Sequence, residues 1–480
     1  MVHVYENNGY KIALDVHSGA IHLVDEMAYR LIPQVEELIN QGKHEKEQIT
    51  AFFANLPDEN PLKTVNDDLM ETLDEIIGLY EAGMLFTPDS YYRRSEEINT
   101  RETVVKALCL HMAHACNLAC RYCFAAENLT PGRSDDVPDA TLPSALMSLD
   151  TGKQALDFLV ANAKNRRNLE VDFFGGEPLL NWQVIKELVA YGRRLEKKHD
   201  KNFRFTLTTN GILLTEDMFA FINREISNVV LSIDGRREVN DRMRPLRNGS
   251  GSYDLIIAKF SKLVESRNQK NYYLRGTFTR ENLDFTEDFR HLAAMGFQQI
   301  SLEPMVETKA NKPFDHPASF AIRSADIPVV CAEYDRLATE IITREKAGQP
   351  INFFHFMIDL TGGPCVAKRL SGCGAGSEYL AVTPDGDLYP CHQFVGRPGF
   401  LLGNLTEGIT NPKLSHDFKS ATVYTKPKCQ NCFAKFYCSG GCAASAHEQS
   451  EDINDCDDLA CALQRKRIEA ALMIKAARSH

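Results

Sequence analysis

Residues 104–320 predict an α/β fold, with parallel strands on the inside and helices packed against them. Two observations carry this. Short apolar runs at 104–110, 169–174, 203–208, 229–233, 272–279 and 299–302 read as strands, and longer stretches of helical periodicity lie between most of them, at 152–164, 182–197 and 253–266. Residues of marked chemical character collect at the C-terminal ends of these runs, where parallel α/β barrels place their chemistry.

Ahead of this region, residues 2–5, 10–15 and 20–24 read as short strands, with Asn7, Asn8 and Gly9, then Ser18 and Gly19, turning the chain between them. Asp25 is the expected N-cap of a helix through Met27, Leu31, Val35 and Ile39. Helical patterns follow at 45–54 and 67–82, and Gly83 ends the last. Residues 91–103 are polar and read as a linker.

The run at 104–110 delivers the chain into a loop that holds Cys116, Cys120 and Cys123, separated by three residues and then by two. So tight a loop can bring three thiolates to one inorganic centre, and not easily a fourth. On a four-iron cluster this leaves one iron open to a small molecule. Structural zinc usually takes paired Cys-x2-Cys units and four protein ligands, so iron–sulfur is the expected chemistry. After the strand at 169–174 come Gly175, Gly176, Glu177 and Pro178. The glycines permit close backbone approach, and Glu177 can accept from an ammonium. Thr208 to Gly211 end the next strand, and Ser232 to Gly235 the one after. Arg242 and Arg244, by themselves, read as a solvated charge pair. The segments 128–150 and 308–328 are polar and Pro-bearing; the first reads as an insertion beside the cysteine loop.

A second cysteine field runs Cys365, Cys373, Cys391, Cys429, Cys432, Cys438, Cys442, Cys461, with Cys456 inside its span. Zinc ribbons could use several of these thiols. Of 14 cysteines, only Cys109 and Cys331 stand outside the two zones. This count, with no signal-peptide pattern at the N-terminus, predicts a cytoplasmic protein whose cysteines are metal ligands and not disulfides. A net charge of −11 argues against general nucleic-acid binding. No apolar run is long enough for a membrane span.

The CxxxCxxC loop, with Tyr122 before its last cysteine, resembles the radical S-adenosylmethionine (SAM) superfamily. That resemblance implies a partial (β/α)6 barrel over 104–320, a [4Fe-4S] cluster on Cys116, Cys120 and Cys123, and SAM chelated by the open iron. It implies cofactor contacts at Gly175, Gly176 and Glu177 for the SAM amino group, Thr209 and Ser232 nearby, Arg244 on the carboxylate, and Tyr122 at the adenine. From Cys373 onward the intervals resemble the SPASM domain, over 361–480 after a bridge at 321–360. The SPASM resemblance implies two auxiliary [4Fe-4S] clusters. Cys373, Cys391 and Cys442 would hold the first, with Cys365 as the possible fourth ligand or that iron left open. Cys429, Cys432, Cys438 and Cys461 would hold the second, with Cys456 a weaker rival to Cys461. Residues 1–90 resemble the winged-helix-like RiPP recognition element, which binds a leader peptide as an added strand. The sequences around Cys116–Cys123 and Cys373–Cys391 closely resemble the maturases of "six cysteines in forty-five" (ranthipeptide) precursors. These join Cys sulfur to carbon in a Cys-rich peptide, with electrons from a donor such as flavodoxin or ferredoxin. A sulfatase-type or other oxidising peptide maturase would share every cluster motif.

Overall fold

The computed structural model describes residues 1–57, 59–60, 62, 66–125, 146–307, 320–358 and 366–478. Three antiparallel strands open the chain in the order β1 (Val2–Asn7), β2 (Tyr10–Asp15), β3 (Ile21–Leu23). Helix α1 (Glu26–Asn40) begins at the expected cap, where Asp25 accepts from the Ala28 N–H at 2.8 Å. α2 (Lys46–Ala54) and α3 (Asn66–Glu81) follow. The period-two alternation of strands divides this sheet between two cores. Val2, Val4 and Ala13 pack with Leu31, Val35, Phe53 and Leu73, whereas Tyr5, Ile12 and Leu14 belong to the main core of the chain. The N-terminal unit is therefore built into the molecule.

The stretch expected to be a linker carries helix α4 (Tyr92–Thr100). Its polar neighbourhood makes contacts. Asp89 accepts from the Tyr424 hydroxyl at 2.6 Å and from the Lys435 ammonium at 3.1 Å, and Lys435 is only 3% exposed. Asp89→Ala leaves that ammonium buried without its carboxylate, at a cost of about 3 kcal/mol. The unfolding midpoint in denaturant should fall accordingly, and an unchanged midpoint would contradict this assignment.

The strand–helix alternation then runs β4 (Ala107–Ala113), α5 (Leu149–Asn162), β5 (Asn168–Gly175), α6 (Trp182–His199), β6 (Asn202–Thr209), α7 (Glu216–Glu225), β7 (Asn228–Ser232), α8 (Arg237–Met243), α9 (Tyr253–Ser266), β8 (Tyr272–Phe278), α10 (Phe285–Ala294) and β9 (Gln299–Pro304). Strands β4 to β9 are parallel and lie side by side in sequence order. Leu169, Val171 and Phe173 of β5 are buried against the helices, while Asp172 and Phe174 face the other side of the sheet.

Two expected boundaries shift. The bridge at 321–360 contains α11 (Ile327–Lys346), whose Val330, Tyr334 and Leu337 are in the main core, and β10 (Asn352–Phe353), which pairs parallel with β9. The C-terminal region begins with α12 (Val366–Ser371), and its first strand, β11 (Tyr379–Val382), pairs parallel with β4. β12 (Asp387–Tyr389), β13 (Gly403–Asn404) and β14 (Gly408–Ile409) then extend the sheet antiparallel. The reason is physical: the six-stranded sheet has two open edges with unpaired backbone groups, and the chain that follows covers both. Short helices α13 (Pro412–Ser420), α14 (Pro427–Gln430), α15 (Lys435–Cys438) and α16 (Ala443–Ser450) lead to the long α17 (Asp458–Arg478), which crosses back onto the N-terminal sheet and α11. Among the described residues no helix is long and apolar enough to cross a membrane.

Candidate active site

The cysteine loop leaves β4 and is stitched to the segment after α8. The Ala119 N–H donates to the Pro245 carbonyl at 2.9 Å, the Arg121 N–H to the Met243 carbonyl at 2.9 Å, and the Arg247 guanidinium to the Cys116 carbonyl at 3.0 Å. On its other side, Gly176 and Glu177 donate their N–H groups to the carbonyls of Ala113 and Ala115, at 2.7 and 2.9 Å. Gly175 sits at φ +114°, and a Cβ there would meet the Ala113 carbonyl oxygen at 2.4 Å. Its glycine requirement is thus set by the neighbouring strand. Burial pushes the Cys116 and Cys120 thiols up to about 12, and that of Cys123 upward. Binding a metal centre as thiolates would therefore release these protons to solvent.

Two unspent charges flank the loop. Glu177 is fully buried and its pKa is raised by burial. Its carboxylate accepts from the Leu179 N–H at 3.0 Å, the Thr209 hydroxyl at 2.7 Å and the Asn210 N–H at 2.8 Å. That leaves a lone-pair direction free on the oxygen bonded to Asn210. Among the described residues no cation reaches it within ion-pair distance. Arg244 is 7% exposed; it donates to the Tyr122 hydroxyl at 2.8 Å, and its Nε is buried with no partner. A buried carboxylate lacking a cation and a buried guanidinium with an unused donor suit the ammonium and carboxylate of one amino acid. These residues fit the methionine end of SAM.

The hydroxyls of two of the expected contact residues have partners within the protein. The Thr209 hydroxyl is spent on Glu177 and on the Gly211 N–H. Tyr122 points its hydroxyl at Asp234, 2.8 Å away, and its ring packs with Met243, Met305, Phe320 and Ala321. Ser232 ends β7, half-buried on the Asp172 side of the sheet. Two residues the sequence reading passed over belong to the site. Asn210 links Glu177 to the cysteine loop, its side-chain amide 2.8 Å from the Asn117 carbonyl oxygen and 3.6 Å from the Cys116 sulfur. Asp234, lifted to about 6 by burial against the opposing pull of Arg244, anchors Tyr122 and the Thr277 N–H. Its signal was an acidic residue at the C-terminus of a strand, directly before a glycine.

The C-terminal cysteines form two groups. Cys429, Cys432, Cys438 and Cys461 line one cavity of about 400 Å³, with Lys428, Lys435 and Arg465 on its wall. The basic side chains suit an anionic thiolate cluster. The Cys456 sulfur lies 3.5 Å from that of Cys429 and also bonds to Cys461, so Cys456 sits with this group as the rival to Cys461. Cys391 is raised by burial and then by Cys442 and Cys373, which places those three together. Cys365 lies outside the described residues. Among the described residues no three His, Cys, Asp or Glu side chains close on a single metal ion. Cys109 is buried, near enough to Cys391 to feel its charge, and Cys331 is half-buried.

Between the cysteine loop and Cys391, the Asp172 side of the sheet carries charge. Arg275 of β8 donates to Glu303 of β9 at 2.9 Å, and the Ser301 hydroxyl lies 3.2 Å from the His355 ring, itself 3.8 Å from Glu303. Glu303 falls to about 2 because Arg275 outweighs burial. Burial, then Arg467, brings His355 down to about 3, with Glu303 pulling the other way and Arg275 adding to the drop. An unfolded histidine, near 6.5, binds protons more readily. This residue therefore costs stability as pH falls from about 6.5 toward 3. His355→Gln should flatten the decline of the unfolding midpoint between pH 6.5 and 4.5; parallel curves would refute the assignment.

The Radical SAM superfamily model matches residues 110–292, and the SPASM iron–sulfur cluster-binding model matches residues 373–433. The chain is 32% identical over 200 residues to an uncharacterized protein of Methanocaldococcus jannaschii, covering 42% of this chain and 62% of that one. It is 22% identical to the radical SAM cyclopropyl synthase TigE of Paramaledivibacter caminithermalis, over 78% of this chain and 75% of that one. It is 24% identical to the mycofactocin maturase MftC of Mycolicibacterium smegmatis, over 70% and 78%. In fold it is similar to anSMEcpe with bound AdoMet (TM-score 0.63, 18% identity, 78% of this chain and 96% of that one). It is also similar to Streptococcus suis SuiB bound to precursor peptide SuiA (TM-score 0.50, 16% identity, 96% and 100%). The chain thus carries a radical SAM domain around the first cysteine loop and a SPASM domain around the second field, and it is similar along most of its length to the radical SAM cyclopropyl synthase and the mycofactocin maturase named above.

Proposed function

We propose that the chain installs Cys-to-carbon thioether cross-links in a Cys-rich precursor peptide, and that residues 1–90 bind the leader of that peptide. The observation that carries this is the N-terminal sheet. Among the described residues β3 pairs on one side only, with β2, and such an edge can take up a peptide as a further strand. The fold likeness agrees: it covers 78% of the chain for anSMEcpe and 96% for SuiB.

In this reading residues 104–320 form a partial barrel around a lumen. Cys116, Cys120 and Cys123 hold one [4Fe-4S] cluster. Cys373, Cys391 and Cys442, with Cys365 as the fourth candidate, hold a second, and Cys429, Cys432, Cys438 and Cys461 a third. Glu177 and Arg244 take the two charges of the SAM methionine end, with Gly175, Gly176 and Ser232 beside it. Thr209 and Asn210 orient Glu177, and Tyr122 orients Arg244. Bound there, these groups supply a 5′-deoxyadenosyl radical to take a hydrogen atom and a sink for the surplus electron. The chain places one C–H bond of the peptide and keeps water away from it. A reductant such as flavodoxin or ferredoxin, and reduced thiols, fit a cytoplasmic setting.

Deleting residues 1–90 would strip Tyr5, Ile12 and Leu14 from the main core, so the test uses the whole chain. The precursor with its leader should be modified at least tenfold faster than the same peptide without it, and free leader should compete. Equal rates without the leader would overturn the reading.

A further inference from the structure

We propose that Arg275 and Glu303 form a clamp for one main-chain amide of the peptide substrate inside the lumen; this rests on the peptide-modifying reading above. Both residues lie on the lumen side of their strands. In β8, Leu274, Gly276 and Phe278 are buried while Tyr273, Arg275 and Thr277 alternate to the other face. In β9, Glu303 sits in register with Thr277, two residues beyond Ser301, the partner of Arg275. The pair is joined by one hydrogen bond of 2.9 Å, and the side chains remain 44% and 33% accessible although strands enclose them. Charged groups on an enclosed wall are costly unless they have a partner. Among the described residues the Arg275 guanidinium makes no other hydrogen bond, and the second Glu303 oxygen, 3.8 Å from the His355 ring, is not spent on it, so N–H donors and a carboxylate oxygen stand side by side.

The position is as telling as the chemistry. Arg275 acts electrostatically on Tyr122, in the first cysteine loop, and on Tyr379 and on His392, which follows Cys391. The clamp therefore stands between the loop of Cys116 to Cys123 and the set around Cys391. The pair is neutral overall and bipolar. A lysine of the substrate would be repelled by Arg275 and a carboxylate by Glu303, whereas an amide matches both: its carbonyl accepts from the guanidinium and its N–H donates to the carboxylate. His355, held neutral beside Ser301, adds no net charge to the wall. Arg275 and Glu303 are positioning residues in this reading. They fix which residue of the peptide meets the radical.

The probe is a Cys-rich precursor peptide with its leader, supplied to the reconstituted holoenzyme. Glu303→Gln and Arg275→Lys should raise the peptide KM about tenfold and lower the ratio of cross-linked product to 5′-deoxyadenosine by at least tenfold. Peptide-free SAM cleavage and iron content should stay within twofold. A series of peptides with one main-chain amide replaced by an ester should show one position at which the unaltered enzyme loses that ratio and Glu303→Gln loses nothing further. Unchanged KM and product ratio in both variants would overturn the clamp, as would parallel loss of peptide-free SAM cleavage, or additive ester and Gln effects at every position. Failure of the unaltered enzyme to modify the peptide at all would instead overturn the function on which the clamp rests.

Discussion

A chain carrying Cys116→Ala, Cys120→Ala and Cys123→Ala together should form no 5′-deoxyadenosine above background when supplied with SAM and dithionite, a loss of more than a thousandfold. The fold should survive. The loop is held by backbone bonds, from Ala119 and Arg121 to Pro245 and Met243, and these do not involve the thiols. Removing the sulfurs therefore takes away the metal centre and leaves the loop's tether to the segment after α8. Iron should drop from about twelve to about eight per chain, the arithmetic of three four-iron clusters losing one. Retained SAM cleavage, or loss of all iron together, would contradict the separate roles given to the two cysteine zones.

Glu177→Gln should weaken SAM binding about thirtyfold to a hundredfold. A hydrogen bond to a charged group is worth about 1.5–3 kcal/mol, and the substitution also leaves the arriving ammonium buried without a carboxylate. An amide nitrogen would in addition be set against the Thr209 hydroxyl or the Asn210 N–H, both of which now donate to Glu177. Without SAM the variant should lie close to the parent in stability, because relief of a buried uncompensated charge offsets the donor now set against a donor. The discriminating readout is the ligand-induced shift of the unfolding midpoint, which follows occupancy of the folded state. Saturating SAM should raise the midpoint of the parent clearly and that of Glu177→Gln hardly at all at the same concentration. An equal shift in both would show that Glu177 does not meet the ammonium.

The sequence carried the six parallel strands and most helices because their apolar periodicity is local, and Asp25 announced its helix for the same reason. It carried the cysteine sets because their spacing is covalent. It did not carry what strand edges recruit. β10 and β11 are two and four residues long, too short to stand out, and they exist because the flanks of the six-stranded sheet need partners. The polar residues around 91–103 looked like a spacer since nothing local shows that Asp89 meets Tyr424 and Lys435, more than 330 positions on. The same limit applied in the site. No local feature shows that the hydroxyls of Thr209 and Tyr122 bond to Glu177 and Asp234. Asn210, Arg275 and Glu303 gain meaning only once neighbouring strands bring them to one wall.

The central claim is that this chain joins peptide sulfur to peptide carbon. The most direct measurement is the mass of a Cys-rich precursor peptide, leader included, after co-expression with the whole chain and thiol alkylation. The account predicts a loss of two hydrogens for each cross-link, with one cysteine per cross-link resistant both to reduction and to alkylation. A peptide of unaltered mass, or one that loses two hydrogens while every remaining thiol alkylates, would contradict it.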